Sequence, residues 1–277
     1  MWMPETPYYL IKKGKHEQAK KNLQLLRGDE NVEEEMKSLC EAVSRQENVE
    51  KGKIFDLFTV KSNRRAVIIF IILNLTKKYS GKNPLMFYTA TVFEAADGSL
   101  SPQVSVMVYI LIELVASLAS LSIIDRVGRK PIVVVSTIGC ALGLAFTGIY
   151  FFLKDEMSIS MNSFGWLPIT ALVIFNISYS VGLELIPSIY LGELFPTSVK
   201  AIALGMADIF SIINGTVGAK FFQIVKDTQG IYLPFWVFSA CCMIGVIFII
   251  KYVPETKNKT LEEIQQYLIR KTASANP

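Results

Sequence analysis

Six long apolar runs, at about 66–93, 102–124, 131–153, 165–191, 201–225 and 231–253, decide what this chain can fold into. A helix needs roughly 20 apolar residues to cross a hydrocarbon core of about 30 Å, and every run is long enough. In lipid each backbone N–H and C=O must find a partner within the protein, so only helices and closed barrels can span. Barrel strands would be short and alternating, whereas these runs are continuous. The chain is therefore predicted to be an all-α, multi-pass integral membrane protein whose first partner is the lipid bilayer. A hydrophobic content of 51% agrees.

Lys and Arg in the short connections set the expected orientation. Arg64 and Arg65 precede the first run, Arg126, Arg129 and Lys130 part the second from the third, and Lys200 parts the fourth from the fifth. Lys251, Lys257 and Lys259 close the sixth, while the alternate connections carry Glu94 and Asp97, Lys154 to Glu156, and Lys226 with Asp227. Both termini are expected in the cytoplasm, and the plasma membrane is the expected location. The net charge of +4 follows from this asymmetry and gives no reason to expect nucleic acid as a partner.

Three regions are expected: a cytoplasmic helical segment over 1–63, a six-span bundle over 64–253 and a cytoplasmic tail over 254–277. In the first, Ala19, Leu23, Leu25 and Leu26 predict a helix from Lys15 to Arg27 that Gly28 stops, with a second from Val32 to about Gln46. The tail predicts a short helix from Leu261 to Leu268. His16 is read as a solvated residue without a partner, and no phosphate loop or zinc spacing occurs, so neither an enzyme, a cofactor nor a metal is expected. The cysteines, three of them within spans, are read as packing residues. Gly205, Gly215, Gly218 and Ala219 are expected at close helix contacts, and the aromatic clusters "FFQ" and "FWVF" facing lipid or its interface.

Three charged motifs lie on the expected cytoplasmic side: "DRVGRKP" from Asp125, "GELFPTSVKA" from Gly192 and "PETKNKTLEEI" from Pro254. With "PETPYYL" near the start and "KHEQAKKNLQLLRG" after it, they resemble the ordered signature of the major facilitator superfamily sugar porters, nearest in flavour to insect facilitative sugar and trehalose transporters. The resemblance covers essentially the whole chain. It implies two inverted three-helix units, a solute such as a sugar or a charged or polar analogue bound near the midplane, and alternating access by rocking. It also implies that Asp125, Arg126, Gly128, Arg129, Glu193, Lys200, Pro254, Glu255 and Thr256 latch a cytoplasmic gate. The match begins midway through the family pattern. The six runs thus correspond to spans seven to twelve, and the chain is expected to be incomplete or to pair with another half or a second copy.

The first run departs from that pattern. Sugar porters carry Q-Q-x-S-G-x-N in this span, and amides suit sugar hydroxyls because each both donates and accepts. Here "KKYSGKN" keeps Ser80, Gly81 and Asn83 but places Lys77 and Lys78 at the Gln positions. Glu113, Glu184, Ser188, and Ser211 with Ile212 stand at four further departures. Charges within a membrane are costly and mark a function or a partner. Lys77, Lys78 and Lys82 share an arc of roughly 140° with Asn74, Gly81 and Tyr88, and Glu113, Glu184 and Asp208 are the carboxylates available to them. Lys78, or else Lys77, is the expected partner of Glu113. The residues leave two functions open: a carrier of the sugar-porter type, or a non-transporting, sensor-like protein whose pocket internal salt bridges have closed. A dimerising six-span carrier is a third arrangement.

Overall fold

A computed structural model describes residues 5–28, 32–47, 54–96, 101–157, 159, 164–259, 263–264 and 266–269. The chain divides into two compact units, Met1–Gly52 and Lys53–Pro277. The first holds α1 (Pro7–Lys12), α2 (His16–Arg27) and α3 (Glu33–Glu47). The Thr6 side chain accepts the Tyr9 N–H to start α1, and Gly28, at φ +69°, ends α2 where an L side chain would be strained. Leu10, Ile11, Ala19 and Val43 form its small core, with Met36 and Leu39 packed against it. Leu25 and Leu26, expected on that stripe, are 73% and 54% exposed. His16 is not isolated: its Nδ1 lies 3.9 Å from Cys40 Sγ.

The second unit is the helical bundle. It comprises α4 (Asp56–Thr59), α5 (Lys61–Lys78), α6 (Lys82–Ala95), α7 (Pro102–Val127), α8 (Arg129–Asp155), α9 (Leu167–Ser178), α10 (Ile186–Leu194), α11 (Thr197–Gln229) and α12 (Tyr232–Tyr252). Among the described residues five helical stretches are long and apolar enough to cross a membrane by themselves, so a count of six unbroken spans is not established. The difference lies in the first run, which is two helices. Pro84 has no N–H to give the Ser80 carbonyl, and Gly81 takes φ +86°, so the ladder of α5 stops at Tyr79 and a new one starts at Lys82. Towards the tail's end, residues 263–264 and 266–269 are helical; Ile264 and Leu268 are buried, while Leu261, the expected start, lies outside the described residues.

Helix α8 is the hub, packing against α12 and α9 more extensively than any other pair in the bundle. Absent side chains let it do so. A Cβ on Gly143 would fall 2.7 Å from the Ala171 carbonyl oxygen and 2.8 Å from Phe175 Cβ. Of the glycines expected at close contacts on α11 only Gly215 makes one, against Asn83; around Gly205 there is nothing within 4 Å, and Gly218 has only ordinary clearance. Gly143→Ala is accordingly expected to lose about 1–3 kcal/mol as α9 is pushed away, and thermal melting in detergent measures it. Gly205→Ala, which meets open space, should not lose stability.

The aromatic clusters are core. Phe222, Phe235 and Phe238 are at most 1% exposed; Phe222 stacks on Tyr88 at 5.3 Å, and Phe235 on Phe151 at 5.9 Å. They join α6, α8, α11 and α12 into one column, which explains why rings that could have faced lipid turn inward. Cys140 and Cys242 are buried thiols, and Cys40, Cys140, Cys241 and Cys242 are all free.

Between α9 and α10 the chain makes a π-helical turn, Tyr179–Leu183, in which the Glu184 N–H reaches back to the Tyr179 carbonyl at 3.0 Å. Ser136 of α8 repairs the ladder there, donating to the Ser178 carbonyl at 2.6 Å and accepting the Leu183 N–H at 3.0 Å. The wider turn shifts the residues downstream of it out of the four-residue step. Asn176 and Ser180 are buried, but Ser188, which continues their four-residue step through Glu184, is exposed.

Candidate solute cavity and gate

The break at Gly81 positions the polar site. It ends α5 with Lys77 and Lys78 in its last turn and opens α6 with Lys82 in its first. Lys82 Nζ lies 2.6 Å from Glu113 Oε2 of α7 and donates to Asn176 Oδ1 of α9 at 2.8 Å. The same ammonium sits 5.2 Å and 5.5 Å from the ring centres of Tyr109 and Tyr179. The Asn176 amide is itself held by its Nδ2, which donates to the Tyr109 carbonyl at 3.0 Å. Three helices and the π turn thus fix one cation. The partner of Glu113 is therefore Lys82 and not Lys78 or Lys77, because the new helix begins on the α7 side while α5 packs on α12, α10 and α11.

Lys77 donates to the backbone carbonyl of Glu184 at 2.7 Å, where the helical ladder is widened. The Glu184 carboxylate takes the Ser117 hydroxyl at 3.0 Å. Lys78 is half-buried beside Gly215, with no ion pair or hydrogen bond among the described residues. Asn83 lies over Gly215, so close that a Cβ there would fall 2.4 Å from Asn83 Nδ2. Asn74 donates to Ser211 Oγ at 3.1 Å, and its own Oδ1 is buried without a partner. Asp208 is exposed and pairs with none of the lysines. Three lysines meeting three carboxylates is thus corrected to one ion pair, one lysine on a carbonyl and one lysine without a counter-ion among the described residues. Between them α6 and α7 leave an open groove of about 560 Å³ that Lys82, Thr89, Tyr109, Glu113 and Ser117 line.

Asn176 is a partner of Lys82 that the sequence does not single out, although its four-residue step to Ser180 is there. It also missed Tyr79, whose hydroxyl donates to Asn214 Oδ1 at 3.2 Å.

The gate motifs converge on one carboxylate. Glu255 Oε1 accepts the N–H groups of Arg129, Thr256 and Lys257 at 3.1, 2.9 and 2.9 Å, and Oε2 that of Lys130 at 3.0 Å. An anion is well placed there, since the first N–H groups of α8 have no partner within their helix. Gly128, at φ +112°, makes room: a Cβ would fall 3.1 Å from Glu255 Oε2. Arg129 reaches Glu193 at 3.4 Å, Lys200 donates to the Gly192 carbonyl at 2.9 Å, and Lys257 caps the Arg126 carbonyl at 2.5 Å. Tyr190 donates to the Pro254 carbonyl at 2.6 Å, and Thr256 is buried beside it. The Asp125 side chain lies outside the described residues.

Burial pushes the Glu255 carboxyl up, but the four N–H donors outweigh it and hold its pKa below the ordinary 4.5. A depressed carboxylate contributes stability that is complete above the unfolded value and is lost as pH falls through the folded one. The clamp should therefore be intact at neutral pH and open only below about 4.5. Hydrogen exchange at the Arg129 and Lys130 amides against pH checks this, with Glu255→Gln expected to abolish the dependence.

The family described as sugar (and other) transporter matches residues 1–268. The facilitated trehalose transporter Tret1 of Drosophila willistoni is 32% identical over 269 residues, which are 96% of this chain and 31% of that protein. Tret1 of Bombyx mori is 32% identical over 266 residues, 96% of this chain and 52% of that protein. This chain thus spans about half or less of the length of these relatives. Among solved structures, the inward open xylose transporter XylE from E. coli gives a TM-score of 0.72 at 20% identity, covering 95% of this chain and 52% of that one. The proton:xylose symporter XylE bound to 6-bromo-6-deoxy-D-glucose gives 0.67 at 20% identity, covering 96% and 54%. These likenesses show the fold.

Proposed function

Because the chain belongs to the sugar (and other) transporter family, we propose that it forms one wall of a membrane carrier for a carbohydrate or a charged or polar analogue. The observation that carries this reading is the groove between α6 and α7, where Lys82, Glu113 and Asn176 form a fixed polar cluster inside a bundle of membrane-spanning helices. Asn83, Ser211 and the two remaining lysines extend the polar surface along α5, α6 and α11. The opposite wall is supplied by another six-span body or by a second copy of this chain. On this reading the Glu255 clamp and the Arg129–Glu193 pair hold the cytoplasmic side closed. The carrier lies in the plasma membrane with both termini inside. No covalent step is required.

Tracer uptake of trehalose and glucose into proteoliposomes tests the proposal. The purified chain alone is expected to give no saturable flux, and flux is expected once a complementing six-span half of a relative is added. Saturable flux from the chain alone would assign the second wall to another copy. No flux in either preparation would overturn the carrier reading. Orientation is checked separately by a cysteine placed at Glu156, which should react only from outside.

A further inference from the structure

A second site lies away from the solute groove, where α5 starts and α12 ends. The two helices pack antiparallel, so both of these ends sit on the gate face, where Lys130 Nζ also donates to the Ile250 carbonyl at 2.8 Å. Between them is a cleft of about 430 Å³ that Arg65, Ile68, Ile69, Lys251, Tyr252 and Tyr267 line, with Leu268. Its chemistry is graded along α5. At the rim are two cations from two different helices. Lys251 is exposed, its ammonium 5.5 Å from the Tyr252 ring centre. Arg65 is held in place by its Nη1, which donates to the Leu268 carbonyl at 3.2 Å. One turn deeper, Ile68 stands 45% exposed over buried Ile69. Tyr252 and Tyr267, at 43% and 38%, flank the rim, as amphipathic rings do at the boundary between headgroups and acyl chains.

We propose that this cleft binds an anionic glycerophospholipid, with Arg65 and Lys251 on its phosphate and an acyl chain along Ile68. A sugar would find few acceptors here, and a protein segment would leave the graded apolar floor facing lipid anyway. An anionic lipid answers both ends of the cleft at once: a phosphate for two converging cations, and hydrocarbon for the isoleucines below them. Basic residues just inside a membrane surface attract anionic headgroups in this way. A bound lipid would tie the tail to the ends of α5 and α12, beside the Glu255 clamp, independently of whether the groove between α6 and α7 carries a solute.

The test uses the full chain in nanodiscs of phosphatidylcholine with a tenth of phosphatidylglycerol, with lipid retention read by native mass spectrometry and stability by thermal melting. Retained phosphatidylglycerol and a higher Tm than in pure phosphatidylcholine are expected. Lys251→Gln should weaken retention about fivefold, the amount expected for one basic residue at an anionic surface, with its Tm in pure phosphatidylcholine unchanged. Arg65→Gln should weaken it similarly but also loosen the tail, so Lys251→Gln is the deciding variant. Arg64→Gln removes the same charge at the same depth from an exposed position outside the cleft and should leave retention as in the wild type. Equal losses for Arg64→Gln and Lys251→Gln would reduce the effect to general surface attraction and overturn the site. An equal rise in Tm with glycerol phosphate or inorganic phosphate alone would overturn the lipid assignment.

Discussion

Glu113→Gln should destabilise the bundle by about 2–3 kcal/mol, less than the roughly 3–5 kcal/mol that removing one partner of a fully buried ion pair costs, because Lys82 and Glu113 are only partly buried. The variant keeps an acceptor near Lys82 but removes the charge opposite an ammonium that Tyr109, Tyr179 and Asn176 hold in place. Lys82→Gln alone should cost less, because Glu113 is the more exposed partner, at 27% against 13%, and can turn toward the groove. The double change to two amides should recover most of the loss. Thermal melting of both singles and the double in detergent, scored as a double-mutant cycle, gives the coupling. The same cycle run with Lys78 in place of Lys82 should be additive, since the structure places Lys78 beside Gly215 and not beside Glu113. Additivity in both cycles would show that Glu113 neutralises neither lysine.

The second large effect is expected at the Glu255 clamp. Glu255→Ala withdraws one carboxylate from four N–H donors, two of them at the start of α8. Hydrogen bonds to charged groups are worth about 1.5–3 kcal/mol each, but the freed tail amides regain water, so a net loss of about 2–4 kcal/mol is expected. Gly128→Ala reaches the same clamp from the other side. It forces an L residue into a backbone conformation that only glycine adopts readily, at about 1–3 kcal/mol, and puts a methyl group 3.1 Å from Glu255 Oε2. Both variants should raise protease sensitivity after Val253, and the double should fall short of the sum by the relieved clash with Glu255, while the backbone strain at Gly128 remains. Full additivity would mean that the added methyl group does not press on Glu255.

The membrane class and the helical architecture are legible in the apolar runs because lipid leaves the backbone no alternative. The meeting of the charged motifs is legible too: residues at Gly128, Glu193 and Glu255 come together from motifs up to more than a hundred residues apart, because short charged motifs at helix ends find each other wherever the helices turn. The pairing inside the bundle is not legible. Which lysine meets Glu113 depends on the rotation of α6 after the break, and a single arc drawn through Asn74, Lys78 and Lys82 assumes one continuous helix that the structure does not contain. The π turn misleads in the same way, since one extra residue between Tyr179 and Leu183 moves Ser188 off the stripe. Aromatic residues gave the wrong side because composition alone cannot distinguish a ring that faces lipid from one that stacks on Tyr88. Gly205 and Gly143 are likewise indistinguishable until their neighbours are known.

The interruption between α5 and α6 has a mechanical consequence. A continuous helix resists bending because its hydrogen-bond ladder must stretch on one side. Here the rungs at that level are already absent: the Tyr79 N–H closes α5 onto Leu75, and the Leu85 N–H opens α6 onto Gly81. The segment behaves as two rods on a joint, and tilting α6 about Gly81 strains no backbone bond. The stiffness of the joint is set by what grips each rod. At its far end α6 is moored to α8 by Tyr150 and Lys154, which donate to the carbonyls of Ala96 and Ala95 at 2.8 and 2.6 Å. At its near end the charged tether among the described residues is Lys82 on Glu113. The near end of this joint is therefore held by the Lys82 cluster on Glu113 and Asn176, the same side chains that form the polar wall of the groove.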